Sequence, residues 1–245
     1  MNRRQEKILK CIVKEYTRKA RPISSKALSE KYKLYLSPAS LRSEMVRLTD
    51  AGYLSQPHTS AGRTPTEKAY RFFVNKFCKP KLPFEIEKEL KEIFLEKRQE
   101  EEILREIGKF IATVSRNVSI LSQKEDFFWQ GLSYLLSQPE FYNIDEVIEA
   151  IESFEQLHEA IKEEILGIEE GIKIYFPSGV TITWIDDKVD SFEKEKFLFK
   201  DEDLSLILGG LETGFIGILG PTRMDYEKNI ALIKKARELL TQEKR

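Results

Sequence analysis

Residues 36–74 read LSPASLRSEMVRLTDAGYLSQPHTSAGRTPTEKAYRFFV, and the fold of the N-terminal third follows from them. Ser37 followed by Pro38 is a helix start: serine can cap the free N–H groups, and proline fills a first-turn slot whose N–H has no partner anyway. Leu41, Met45, Val46 and Leu48 recur at helical spacing and predict the apolar face of this helix. Gly52 is placed to end it in the left-handed conformation. Tyr53 to Pro57 then predicts a short edge strand, His58 to Arg63 a loop, and Thr64 to Thr66 the returning strand. A further helix opens at Pro65-Thr66 and runs through Tyr70, Phe72, Phe73 and Phe77.

Working outward, residues 3–19 place Ile8, Leu9, Ile12, Val13 and Tyr16 on one face of an amphipathic helix that Arg21-Pro22 ends. Ser24 caps a second helix, with Ala27, Leu28 and Tyr32 facing inward, and Lys33 to Leu36 form the turn into Ser37. Three helices and a hairpin describe a winged helix-turn-helix over residues 1–78. Charge supports that reading. Residues 1–80 hold 18 Lys and Arg against 6 Asp and Glu, whereas the remainder holds 22 against 35. A chain of net charge −1 is thus split into a basic part suited to a polyanion and an acidic part.

Other classes recede. No stretch approaches the roughly 18 consecutive apolar residues of a membrane span, and no apolar segment follows the charged N-terminus as in a signal peptide, so a cytoplasmic protein without membrane contact is expected. Cys11 and Cys78 are far apart and read as small buried hydrophobes in helices; with only His58 and His158 beside them, neither a disulfide nor a metal site is expected.

Lys79 to Pro83, with two prolines, is the expected linker, and 84–245 a second, α+β domain. Residues 85–106 predict a solvated helix. Ile103, Ile107, Phe110, Val114 and Leu121 form a stripe that is either a core face or a dimer seam. Helices are expected around 128–137 and 143–166, then two hairpins, Ile172–Phe176 with Val180–Ile185 and Leu204–Leu208 with Phe215–Leu219, making a small antiparallel sheet. A helix from about Asp225 to Leu240 ends the chain. The glycines at 209, 210, 214, 217 and 220 lie between strands with no Gly-Lys-Ser/Thr, so they predict close strand packing rather than a phosphate loop. Asp186-Asp187 and Asp201-Glu202-Asp203 lack calcium-loop spacing and read as solvated turns. In the turn 220–226, Thr222 or Asp225 is expected to cap the last helix and Arg223 to hold a carboxylate. No nucleophile comes with a base, so no catalytic residue, cofactor or metal is expected, and the chain reads as a non-enzyme.

The basic third carries the specific chemistry. In a helix-turn-helix the second helix of the motif enters the major groove, with its first residues at base edges. Ser37 offers the helix start to a phosphate, Ala39 can touch a thymine methyl, Ser40 and Ser43 are short donors and acceptors, and Arg42 can pair bidentately with guanine. Arg47, one turn on, is expected at the backbone. His58, Thr59, Ser60 and Arg63 have the character of a wing that crosses phosphates or enters a minor groove.

These same residues resemble the N-terminal domain of HrcA, the bacterial heat-inducible transcription repressor family. GLSYLLSQPEF at 131–141 and GFIGILGPTRMDYEKNIALI at 214–233 resemble the middle and end of that family, in the same order. The resemblance implies a dimeric repressor of chaperone genes that binds double-stranded DNA at an inverted-repeat operator, supported by the GroEL chaperonin. It also implies a GAF-like second domain carrying an inserted dimerisation domain. Between Ser119-Ile120-Leu121 and Gly131-Leu132-Ser133 the family carries a long block where this chain has about ten residues. The expected architecture is therefore mainly α with an α+β second domain: a winged helix-turn-helix followed by a reduced GAF-like domain. The homodimer contact is then expected at the Ile103–Val114 stripe or at an exposed edge of the reduced sheet, whose small size also argues against the alternative of a small-molecule-sensing regulator.

Overall fold

In the computed structural model the residues described are 1–96, 99–123, 126–152, 157, 171–185, 188–194, 203–212 and 214–242. Two units emerge, Met1–Cys78 and Lys79–Arg245. The first holds α1 (Arg3–Lys19), α2 (Ser25–Lys31), α3 (Pro38–Asp50), β1 (Leu54–Ser55), β2 (Thr64–Pro65) and α4 (Glu67–Phe77).

Local chemistry sets each boundary. Asn2 and Gln5 form a reciprocal capping box at the start of α1, Ser24 accepts from the Ala27 N–H, and Ser37 accepts from the Ser40 N–H. α3 ends with Gly52 at φ +76°, where its N–H donates to the Thr49 carbonyl and that of Tyr53 to the Leu48 carbonyl. This double bond pattern satisfies the last carbonyls of the helix. Ile8, Leu9, Ile12 and Val13 of α1 join Leu28, Leu41, Met45, Leu48, Leu54, Phe73 and Val74 in the core of this unit. Cys11 is half-buried in α1 and Cys78, buried, lies one residue past α4.

One buried acid ties α1 to α2. Glu15 is 3% exposed and binds Arg18 at 2.9 Å, Lys19 at 2.8 Å, Lys31, and the Tyr32 hydroxyl at 3.1 Å. Burial works to raise its pKa, but the bonds from Lys19, Lys31, Arg18 and Tyr32 prevail and hold it at about 2. A carboxyl depressed in the folded state stabilises above its unfolded value near 4.5 and loses that contribution as pH falls towards 2. Discounted for partners that reach into water, the contribution is on the order of 2 kcal/mol at neutral pH. Glu15→Gln is expected to lose that much in denaturant titrations at pH 7 and to show a flatter decline between pH 4.5 and 2. Parallel acid profiles for variant and parent would refute the assignment.

The second unit contains α5 (Phe84–Leu95), α6 (Glu100–Ser115), β3 (Val118–Gln123), β4 (Asp126–Gln130), α7 (Leu132–Leu136), a 3-10 turn (Pro139–Phe141) and α8 (144–152). There follow β5 (Ile172–Tyr175), β6 (Val180–Ile185), β7 (Lys188–Lys194), β8 (Leu204–Leu211), β9 (Gly214–Pro221) and α9 (Tyr226–Gln242). The strands form one antiparallel sheet in the order β4-β3-β9-β8-β5-β6-β7. Alternation sends its residues to two helical layers. Val118, Ile120, Leu204, Leu206, Leu208, Phe215 and Leu219 pack with Leu135, Phe141 and Ala150 on one face. α6 and α9 lie against the sheet with α5 beside them. Gly209 sits under α9, where a Cβ would come within 2.6 Å of Ile233 and 2.4 Å of Arg237. The strand glycines therefore serve close packing.

Several expectations are corrected. Among the described residues the sheet has seven strands, not the four of a small hairpin pair: β3, β4 and β7 are additional to the expected ones. Leu121 lies on β3 rather than on the helical stripe, because α6 stops at Arg116 in the left-handed conformation, φ +60°. The helix expected from 128 begins at Leu132, after β4. The helix expected over 85–106 is two, with Leu90 fully buried in the first. The segment 186–203 contains β7. The carboxylates 186, 187, 201 and 202, His158, and most of the expected helix beyond 152 fall outside the described residues. Ile103, Ile107 and Phe110 are 6%, 0% and 7% exposed, which makes the stripe core within this unit and not a seam; Val114 is half-buried. In the turn before α9, Asp225 accepts from the Lys228 N–H at 3.1 Å, while Arg223 clasps Glu140 and Gln138. No helix among the described residues is long and apolar enough to cross a membrane.

Candidate nucleic-acid interface

The residues nominated from the sequence fall on α3 and on the loop 56–63 between β1 and β2. Ser37, Ala39, Ser40, Arg42, Ser43, Arg47, His58, Thr59 and Ser60 are exposed, and Arg63 is half-buried. Their partners separate them. Ser37 is engaged as the cap of α3, and its hydroxyl lies 3.0 Å from that of Ser40. Ser43 donates to the Ala39 carbonyl at 3.3 Å, within its own helix. Arg47 binds buried Glu44 at 3.2 Å, and Glu44 also accepts from Gln5 at 3.1 Å, which anchors α3 to α1. Arg42 is exposed and has no hydrogen bond or ion pair among the described residues, so its full fork of donors is available.

Arg63 does something different. Its Nε donates to Thr49 Oγ1 of α3 at 3.0 Å, and its backbone exchanges two bonds of 2.9 Å with Ile23. A Cβ on Gly62 would lie 2.4 Å from the Ile23 backbone, so only glycine allows this approach. Gln56, which the sequence did not single out, donates from Nε2 to the carbonyls of Thr59 at 2.7 Å and Ala61 at 3.1 Å. Ser55 and Thr64 join hydroxyls across the hairpin at 2.6 Å. The loop is therefore fixed against α3 by its own polar groups.

Between them is a cleft of about 450 Å³ lined by Arg42, Met45 and Val46 of α3, Ser24 and Ser25 at α2, and Gln56 with Thr59 to Arg63 of the loop. It brings together Arg42, Thr59, Ser60 and Arg63 of the nominated set. Ser37, Ala39, Ser40, Ser43, Arg47 and His58 lie outside it. Val46, expected on the buried face, is 41% exposed and lines this cleft. Its position four residues after Arg42 was the available signal.

Geometry and charge define a class: a basic helical module with an exposed helix face and a clamped loop, followed in the chain by an α+β unit built on an antiparallel sheet. A family model described as the HrcA protein C-terminal domain matches residues 45–230. The chain belongs to the HrcA family. It is 42% identical over 115 residues to the heat-inducible transcription repressor HrcA of Thermobifida fusca (strain YX), a match covering 46% of this chain and 34% of that relative. It is 53% identical over 75 residues to the repressor of the same name from Natranaerobius thermophilus, covering 31% and 22%. The chain thus spans about a third or less of the length of these relatives. A match to the repressor from Carboxydothermus hydrogenoformans covers 96% of this chain and 95% of that one at 24% identity over 342 residues. Those 342 positions outnumber the 245 residues here, so that relative carries blocks without a counterpart. A crystal structure described as that of a hypothetical protein superposes with a TM-score of 0.70 at 19% identity, covering 99% of each chain, and agrees in fold.

Proposed function

We propose that this chain is a cytoplasmic transcription repressor of heat-shock genes that binds duplex DNA through its N-terminal unit, and is not an enzyme. In this reading Met1–Cys78 is a winged helix-turn-helix, α3 lies in the major groove and loop 56–63 is the wing. Arg42 reads a base edge, with Ala39 and Ser43 beside it, while Arg63 acts chiefly by holding the wing on α3. Residues 84–245, after the linker 79–83, are the GAF-like regulatory and dimerisation domain. A homodimer supplies the two-fold axis that an inverted-repeat operator requires. GroEL is the proposed modulating partner, by analogy with the family.

The observation that carries this reading is the exposed Arg42, without a partner among the described residues, on a helix face beside an anchored loop, in a chain whose relatives bear the name of a repressor. Selection of bound duplexes from a random pool tests it, since it reports site, symmetry and half-site spacing together. The expected result is enrichment of a two-fold symmetric sequence with half-sites a whole number of helical turns apart. Recovery of duplexes with no common sequence would overturn the proposal. A small-molecule sensor is not disfavoured by a small sheet, because the sheet has seven strands among the described residues.

A further inference from the structure

Three large apolar residues of α3, Leu41, Met45 and Leu48, are 3% exposed or less, and Val46 is 41% exposed. Besides the Met45 and Ala61 side chains, its surroundings in the cleft are polar. It lines the cleft with Arg42 on one side and Gln56, Thr59 and Ser60 of the loop on the other. A phosphate offers only charge and acceptor oxygens, to which a valine contributes nothing. Base edges in a major groove offer one apolar group, the C5-methyl of thymine. The geometry points to Val46 as a specificity-determining residue that packs on a thymine methyl; this rests on the DNA-binding reading above. Residues four apart on a helix share a face and lie about 6 Å apart along its axis. Base pairs are stacked about 3.4 Å apart, so the thymine lies one to two base pairs from the pair read by Arg42. Arg42 thereby sets the register, and Val46 supplies a second, apolar determinant next to it.

The test uses the full chain and the duplex recovered by selection, with each thymine replaced in turn by uracil, which removes the methyl group and nothing else. The parent protein is expected to lose about three- to fivefold in affinity at one thymine per half-site, the size of one buried methyl. Val46→Ala is expected to bind the original duplex more weakly by a similar factor and to show no further loss at that uracil. Val46 is exposed, so the variant is expected to melt with the parent. If it does not, the uracil series on the parent protein alone decides whether any methyl is read. Uracil tolerated at every position, or a Val46→Ala protein that still loses the same factor there, overturns the inference while leaving DNA binding standing. Failure of selection to enrich any sequence removes the DNA-binding reading itself.

Discussion

Arg42→Ala is expected to lower affinity for the selected duplex by about 5- to 150-fold, the value that follows when a bidentate arginine–guanine contact worth about 1–3 kcal/mol is lost. The loss is confined to sequence-specific binding. Affinity for unrelated duplex changes little, and preference relaxes at one base pair in each half-site. Its cause is the isolation of this side chain: Arg47 is held by Glu44 and Arg63 by Thr49. Competition binding with the selected and a scrambled duplex measures both numbers. A uniform loss on every duplex would show instead that Arg42 touches only phosphate. Arg47→Ala serves as the contrast, because losing it exposes Glu44 and acts first on the α1–α3 contact.

Paired replacement of Ile107 and Phe110 by Glu unfolds the second unit. Both side chains are at least nine-tenths buried, so two carboxylates would enter an apolar interior without partners. The expected cost is on the order of 5 kcal/mol or more, comparable to the whole stability of a domain. Circular dichroism combined with light scattering separates this outcome from the one a dimer seam would give, a well-folded monomer. The first unit has its own core and is expected to keep its helices. With that stripe assigned to the interior, the edges of the sheet remain as the surface for the proposed two-fold contact.

The basic module was legible because each of its boundaries is written in a residue with a specific backbone role: Ser24, Ser37-Pro38, Gly52. Hairpin glycines made β5, β6, β8 and β9 legible too. The missed strands lack such punctuation. α6 ends on Arg116 in the left-handed region, where glycine is the usual signal, so the apolar stripe reads on from Val114 to Leu121 without a break. β4 is the aromatic run 126–130, short enough to merge with the helix after it, and β7 interleaves Lys188, Asp190, Glu193 and Lys194 as an edge strand does. In the interface, residue types were readable but their partners were not. Nothing in the sequence says that Arg63 turns back to Thr49 or that Gln56 stitches the loop, since the first bond is made only when hairpin and α3 meet and the second only in the folded conformation of the loop.

The most direct test of the central claim, that the basic N-terminal unit binds the DNA backbone while α3 reads its bases, is a salt titration of binding by the full chain to the selected duplex. Each phosphate neutralised should add about −0.9 to the slope of log affinity against log salt, and several contacts should cost two or more powers of ten between about 50 and 200 mM. An affinity that stays level across that range would contradict the account.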